Sequence, residues 1–150
     1  MEHIWAAVRP HGVLASGALC GAGWWIFTDA AVMASSQAAP FALRYALPAL
    51  VATLGVLLLG AAGRPEEADS YSYGDEGEAC RGKCVLFLAY VLAFGSIGAG
   101  TLLLALDKQA GVDLWPAASA TISSTVLSAS GLLLWLSRGA GDDGGYSLLG

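Results

Sequence analysis

Charge is what this chain has least of. Only 13% of its 150 residues are charged, about half the roughly 25% of a soluble domain. A water-soluble globule so composed could not cover its surface with polar groups. The mean hydropathy of +0.62 points to lipid as the second solvent. Basic residues are scarcer than acidic ones, and the net charge of −5 excludes the basic patch a nucleic-acid partner requires. The three cysteines, Cys20, Cys80 and Cys84, fall short of the four ligands of a structural zinc site, and no other ligand lies near them. His3 and His11 have no carboxylate nearby in sequence except Glu2. There is no nucleophile–base pair, phosphate loop or metal motif. The expectation is a protein with no catalytic residue, no cofactor and no metal.

The placement of the few charges sets the architecture. No ionised side chain occurs between Arg9 and Asp29, from Tyr45 to Gly63, from Cys84 to Leu106, or from Leu114 to Ser137. Each gap approaches the ~20 residues that cross ~30 Å of hydrocarbon as a helix. Because backbone groups in lipid must be paired within the segment, each gap predicts a helix. The spans are expected near 12–34, 41–63, 84–106 and 115–137, giving an all-α, polytopic four-helix bundle over residues 1–138. An acidic loop, 64–83, divides it, and residues 139–150 form a flexible tail. Pro40 and Pro65 bracket the second span, Pro48 is expected to kink it near one end, and Pro116 suits the first turn of the fourth. Trp5, Trp24, Trp25 and Trp115 are candidates for the headgroup belt. The first span also has the look of a signal peptide, but with three spans after it we expect it to be retained.

Basic residues set the orientation. Arg9, Arg64, Arg81, Lys83 and Arg138 fall on one side and Arg44 and Lys108 on the other, five against two of the seven in the chain. The positive-inside rule then places both termini and the acidic loop in the cytosol.

Small residues recur at helix-packing spacings. Gly17 and Gly21 form a G-x-x-x-G pair, and Ser96 and Gly100 repeat that spacing beside Gly95. Thr121, Ser124, Ser128 and Gly131 share one helical face. Lipid is as apolar as leucine, so helices associate in it through close backbone approach and hydroxyl bonds, the latter ~0.6 kcal/mol each. These positions, with Trp24, Trp25 and Asp29, are the expected helix-packing or partner contacts.

Asp29 is the ionisable residue set well inside a span. It reads as a proton or ion site, as a contact to a partner helix, or as a carboxylate solvated at the headgroups beside Trp24 and Trp25. Cys80 and Cys84 flank Arg81-Gly82-Lys83 and are candidate lipidation sites. The acidic loop reads as mobile. In the tail, Tyr146-Ser147-Leu148-Leu149 fits a tyrosine-x-x-bulky-apolar sorting signal, with Tyr146 and Leu149 as its anchors for a coat adaptor.

Three stretches, Gly23-Trp24-Trp25-Ile26 with Asp29-Ala30-Ala31-Val32, then Asp69-Ser70-Tyr71-Ser72, then Leu92-Ala93-Phe94-Gly95-Ser96, resemble the transmembrane protein 50 family of eukaryotes. That family includes the fungal vacuolar protein sorting protein 68. The resemblance runs from Gly12 to Leu106 and implies a small, non-enzymatic four-span protein of endosomes and other endomembranes. It further implies work alongside another small four-span protein in late-endosome-to-vacuole traffic. The acidic run Tyr73–Glu78 and the Gly-rich tail depart from the family pattern.

The functional expectation is a membrane protein that assembles with partner membrane proteins in endosomal sorting, its partners being lipids, other small multi-span proteins and, through the tail, coat adaptors. Two alternatives stand beside it: an accessory subunit of a large membrane complex, and an oligomeric channel or transporter centred on Asp29. The expected location is the endosome or vacuole, with the endoplasmic reticulum or Golgi as the other endomembranes.

Overall fold

The computed structural model describes residues 11–36, 43–61 and 76–139. All of their regular structure is helical. Helix α1 is Gly12–Ser36, α2 is Ala46–Ala61 after a single 3-10 turn at Leu43–Tyr45, α3 is Glu76–Ala110, and α4 is Trp115–Gly139. Leu43–Ala61, Gly82–Ala110 and Trp115–Ser137 are long and apolar enough to cross a membrane. With 25 residues, α1 also has the length, about 37 Å at the helical rise. Its glycines, paired tryptophans and Asp29 dilute its hydropathy, and it is not among those three.

Helix α3 corrects the expected loop. It begins at Glu76, not Cys84, so the second half of the segment read as loop is helical. No proline interrupts the run to Ala110. The remainder of the acidic segment, Arg9, Arg64 and the tail with Tyr146 and Leu149 lie outside the described residues. Pro48 falls in the first turn of α2, where its missing N–H breaks no helical bond.

A tight turn joins α3 to α4. Gly111 adopts φ of 66°, a left-handed conformation that glycine reaches without strain. The Val112 N–H donates to the Asp107 carbonyl at 3.2 Å, closing α3 as a Schellman motif. Asp113 then caps α4, its Oδ1 accepting from the Trp115 N–H at 3.2 Å.

The four helices run alternately up and down, but they do not form a symmetric bundle. Helix α4 packs against all three others, α2 and α3 also meet each other, and α1 leans on α4 with marginal contact to α2. The result is a triangle of α2, α3 and α4 with α1 attached to one corner. Its contact side carries Cys20, Trp24 and Phe27, which pack on a small core of Ala49, Ala52 and Leu127.

Glycine makes these crossings close. A methyl group added at Gly23 would lie 2.9 Å from Leu127 of α4, and one at Gly100 would lie 2.9 Å from the Thr121 Cα. Gly55 faces the α3 backbone at Ala89 and Ala93, and Gly131 faces Val56 of α2. Serine fills the spaces that remain. Ser119, Ser123, Ser124, Ser128 and Ser130 of α4 are all buried. Ser123, Ser124 and Ser130 donate to carbonyls one turn back in their own helix, so they need no partner elsewhere. Among the described residues, two serine hydroxyls bond between helices: Ser16 donates to the Ser130 carbonyl at 2.9 Å and Ser128 to the Ala93 carbonyl at 3.4 Å.

Alanine at glycine positions separates these roles. Gly100→Ala drives a methyl into backbone and should cost about 1–3 kcal/mol. Gly95→Ala meets nothing within 4 Å and should stabilise its helix by about 0.5–1 kcal/mol. Thermal unfolding of the purified protein in mild detergent reads both; equal effects would contradict the crossing described.

Candidate functional site

Two places carry chemistry beyond packing. The first is a polar clasp where α2 begins and α3 ends. Asp107 is 3% exposed, a depth at which a carboxylate requires donors. The Tyr45 hydroxyl donates to its Oδ2 at 2.7 Å, and an Arg44 guanidinium nitrogen reaches Oδ1 at 3.3 Å. The same nitrogen donates to the Tyr45 hydroxyl at 2.6 Å. The guanidinium lies 4.7 Å from the Tyr45 ring centroid, in cation–π range. Tyr45 itself is buried against Ala117 and Ala120 of α4. The group therefore fixes the start of α2 to the end of α3 and to α4, on the side of the α3–α4 turn. The carboxylate is enclosed and the phenol committed to it, and the Arg44 side chain is the exposed member of the group.

The second place is the outer face of α1. Gly12, Ser16, Gly23 and Ala30 are buried on its inner side, whereas Gly17 and Gly21 point to open space, with nothing within 4 Å of an added methyl. Trp24 turns inward and meets Phe27 edge to face, their centroids 5.6 Å apart; Trp25 turns outward and is 78% exposed. Asp29 is exposed, and its side chain makes no hydrogen bond or ion pair among the described residues. With Trp25, Thr28 and Val32 it lines an open groove of about 260 Å³. All four residues belong to one helix, so the groove is a strip along α1 and not a pocket that encloses a small ligand.

The remaining candidates separate between inside and outside. Gly95 is open. Ser96 is buried and donates to the Ala93 carbonyl at 2.7 Å. Thr121 abuts Gly100, and Ser124 and Ser128 are buried against neighbouring helices. Cys84 is exposed near the start of the apolar part of α3, and Cys80 belongs to its first turns. Among the described residues no group of three or more His, Cys, Asp or Glu side chains could hold a metal ion.

Sequence reasoning missed the clasp. Asp107 lies one residue beyond the charge-free stretch, and Arg44 counted only as a topogenic charge. The available signal was an acid and a base at the facing ends of two adjacent antiparallel spans. Tyr45→Phe removes the best donor to a buried carboxylate and should cost about 1–3 kcal/mol. Arg44→Ala should cost less, because its side chain is 55% exposed and an exposed charge is screened. Unfolding midpoints in detergent test the order; a larger loss for Arg44→Ala would reverse the roles given to the two side chains.

Comparison with known proteins gives a relationship without an activity. The sequence pattern of an uncharacterised protein family, UPF0220, matches residues 3–143. A UPF0220 protein of Schizosaccharomyces pombe is 25% identical over 148 residues, covering 93% of this chain and 87% of its own. No solved structure matches. UPF0220 is the transmembrane protein 50 family, the one that the Trp-Trp, Asp29 and Leu-Ala-Phe-Gly-Ser stretches resemble. The chain belongs to the UPF0220 family.

Proposed function

We propose that this protein is a non-enzymatic membrane protein that assembles with partner membrane proteins in late-endosome-to-vacuole, or lysosomal, sorting. The observation that carries the assembly reading is the attachment of α1 by one side only. Its inner side meets α4, and its outer side presents Gly17 and Gly21, the residues best suited to close helix approach, to empty space. A helix that only had to contact lipid would have no use for that strip. In this reading α1 crosses the membrane with the other three helices, and both termini and the segment between α2 and α3 face the cytosol. The sorting role is supported by the resemblance to the family of the fungal vacuolar protein sorting protein 68.

The channel reading has less support. Asp29 lies on an open strip of α1 and lines no enclosed path among the described residues, so a channel would have to be built by oligomerisation around it. The accessory-subunit reading shares the assembly with partner membrane proteins but places it in a large complex, without the sorting role.

Glycosylation acceptors inserted at Gly74 and Gln109 test the topology; modification is expected at Gln109 alone, and modification at Gly74 alone would invert it. For the sorting role, deleting the gene in its native cells should cause soluble vacuolar or lysosomal hydrolases to be secreted. Normal hydrolase retention in the deletion strain would contradict that role.

A further inference from the structure

The outer face of α2 is built unlike the crossings at α4. Between positions 43 and 57 its exposed residues are Leu43, Arg44, Leu47, Leu50, Leu54 and Leu57. The leucines recur at alternating spacings of four and three, so they form one strip along the helix. That strip holds no glycine, alanine or serine, the residues that bring the other helices close to α4. By helical rise it runs roughly 20 Å, more than one leaflet's half of a ~30 Å hydrocarbon core. One charge heads it. The Arg44 guanidinium is held from its inner side: Nη2 serves both the Tyr45 hydroxyl and Asp107 Oδ1, and the Tyr45 ring lies in cation–π range. Nε and Nη1, which carry most of the N–H donors of a guanidinium, have no partner among the described residues. The side chain is the exposed member of the clasp. An arginine whose orientation is already fixed loses little freedom on meeting a ligand.

We propose that Arg44 and the leucine strip below it bind one membrane phospholipid, with its phosphate on the guanidinium and its acyl chains along Leu47, Leu50 and Leu54. The inference goes beyond the assembly reading and does not depend on it. Charge and shape together select the occupant. Phosphate oxygens accept charge-assisted bonds from guanidinium N–H groups. Arg44 stands at one end of the apolar segment Leu43–Ala61, the depth at which headgroups lie. Asp107 is then the inner anion and the phosphate the outer one, with the guanidinium between them. A lipid without phosphate would cover the strip and leave the donors to water. A partner helix would gain little on leucine alone, because nothing on the strip permits close backbone approach. A second copy in the same orientation, related by a two-fold axis through this face, would bring Arg44 towards Arg44.

The test uses the full chain reconstituted in dioleoylphosphatidylcholine vesicles. Two trace probes, a phosphatidylcholine and a diacylglycerol, carry a diazirine in the same acyl chain, and irradiation labels the helix against which that chain lies. The phosphatidylcholine-to-diacylglycerol labelling ratio at residues 47–54 should exceed the ratio at residues 87–94, where Phe87, Val91 and Phe94 are exposed on α3 with no anchored arginine at their head. The excess should be about three- to fivefold, the scale of an exposed ion pair. Arg44→Gln should bring the two ratios together, and Lys108→Gln should leave them apart. In native membranes, a photo-crosslinking amino acid at Leu50 should capture lipid and no protein. Equal ratios on α2 and α3 in the unaltered protein would overturn the proposal, and that comparison needs no variant to fold. An excess that persists in Arg44→Gln, or that Lys108→Gln abolishes, would overturn it too. So would exclusion of both probes by a second copy, or another protein's helix captured at Leu50. Loss of the excess on adding inorganic phosphate would do the same, since the donors would then hold a free anion.

Discussion

Close approach of backbones at α4 is the constraint on which the rest of this structure depends. In lipid, leucine gains nothing by exchanging a hydrocarbon neighbour for another helix. The helices must gain contact instead, and contact grows as they come nearer. Gly23, Gly100 and Gly131 let α1, α3 and α2 respectively reach α4. The buried serines of α4 keep the seam narrow without leaving a polar atom unsatisfied, since no buried side-chain nitrogen or oxygen among the described residues lacks a hydrogen bond. A leucine-rich α4 would hold its neighbours further away.

Two consequences follow from α4 being the hub. The first is that α2 and α3 are held twice, through α4 and through each other, with the Asp107 clasp fixing their ends. The Schellman turn at Gly111 and the Asp113 cap then set where α4 starts relative to that clasp. The second is that α1 is held chiefly through α4, with a small contact to α2. Its attachment relies on Gly12, Gly23 and the Ser16 bond to α4, which leaves more than half of its circumference for other company.

The helices were largely legible because charge is expensive in hydrocarbon: the gaps between ionised residues locate α2, α3 and α4 to within a few residues, apart from the start of α3. That start was hidden because Glu76 to Lys83 is polar, and polarity alone does not distinguish a loop from a helix that continues into water. Packing partners were less legible. Gly17 and Gly21 form the plainest spacing motif in the chain, yet nothing among the described residues meets them. Gly55 belongs to no such motif and sits against the α3 backbone. A spacing pattern tells which residues share a face of one helix, not what that face meets. The clasp was illegible for a related reason: Tyr45 and Asp107 are 62 residues apart, and only the alternating course of the helices brings them together.

The central claim is that α1 keeps an outer face that this chain does not cover and another protein does. A spin label at Gly21 reports it through its collision rate with oxygen dissolved in the bilayer. The account predicts high, lipid-like accessibility when the purified protein is reconstituted alone, and strong shielding in native membranes. A label already shielded in the protein reconstituted alone would contradict it, because the face would then be covered by this chain or by its own copies.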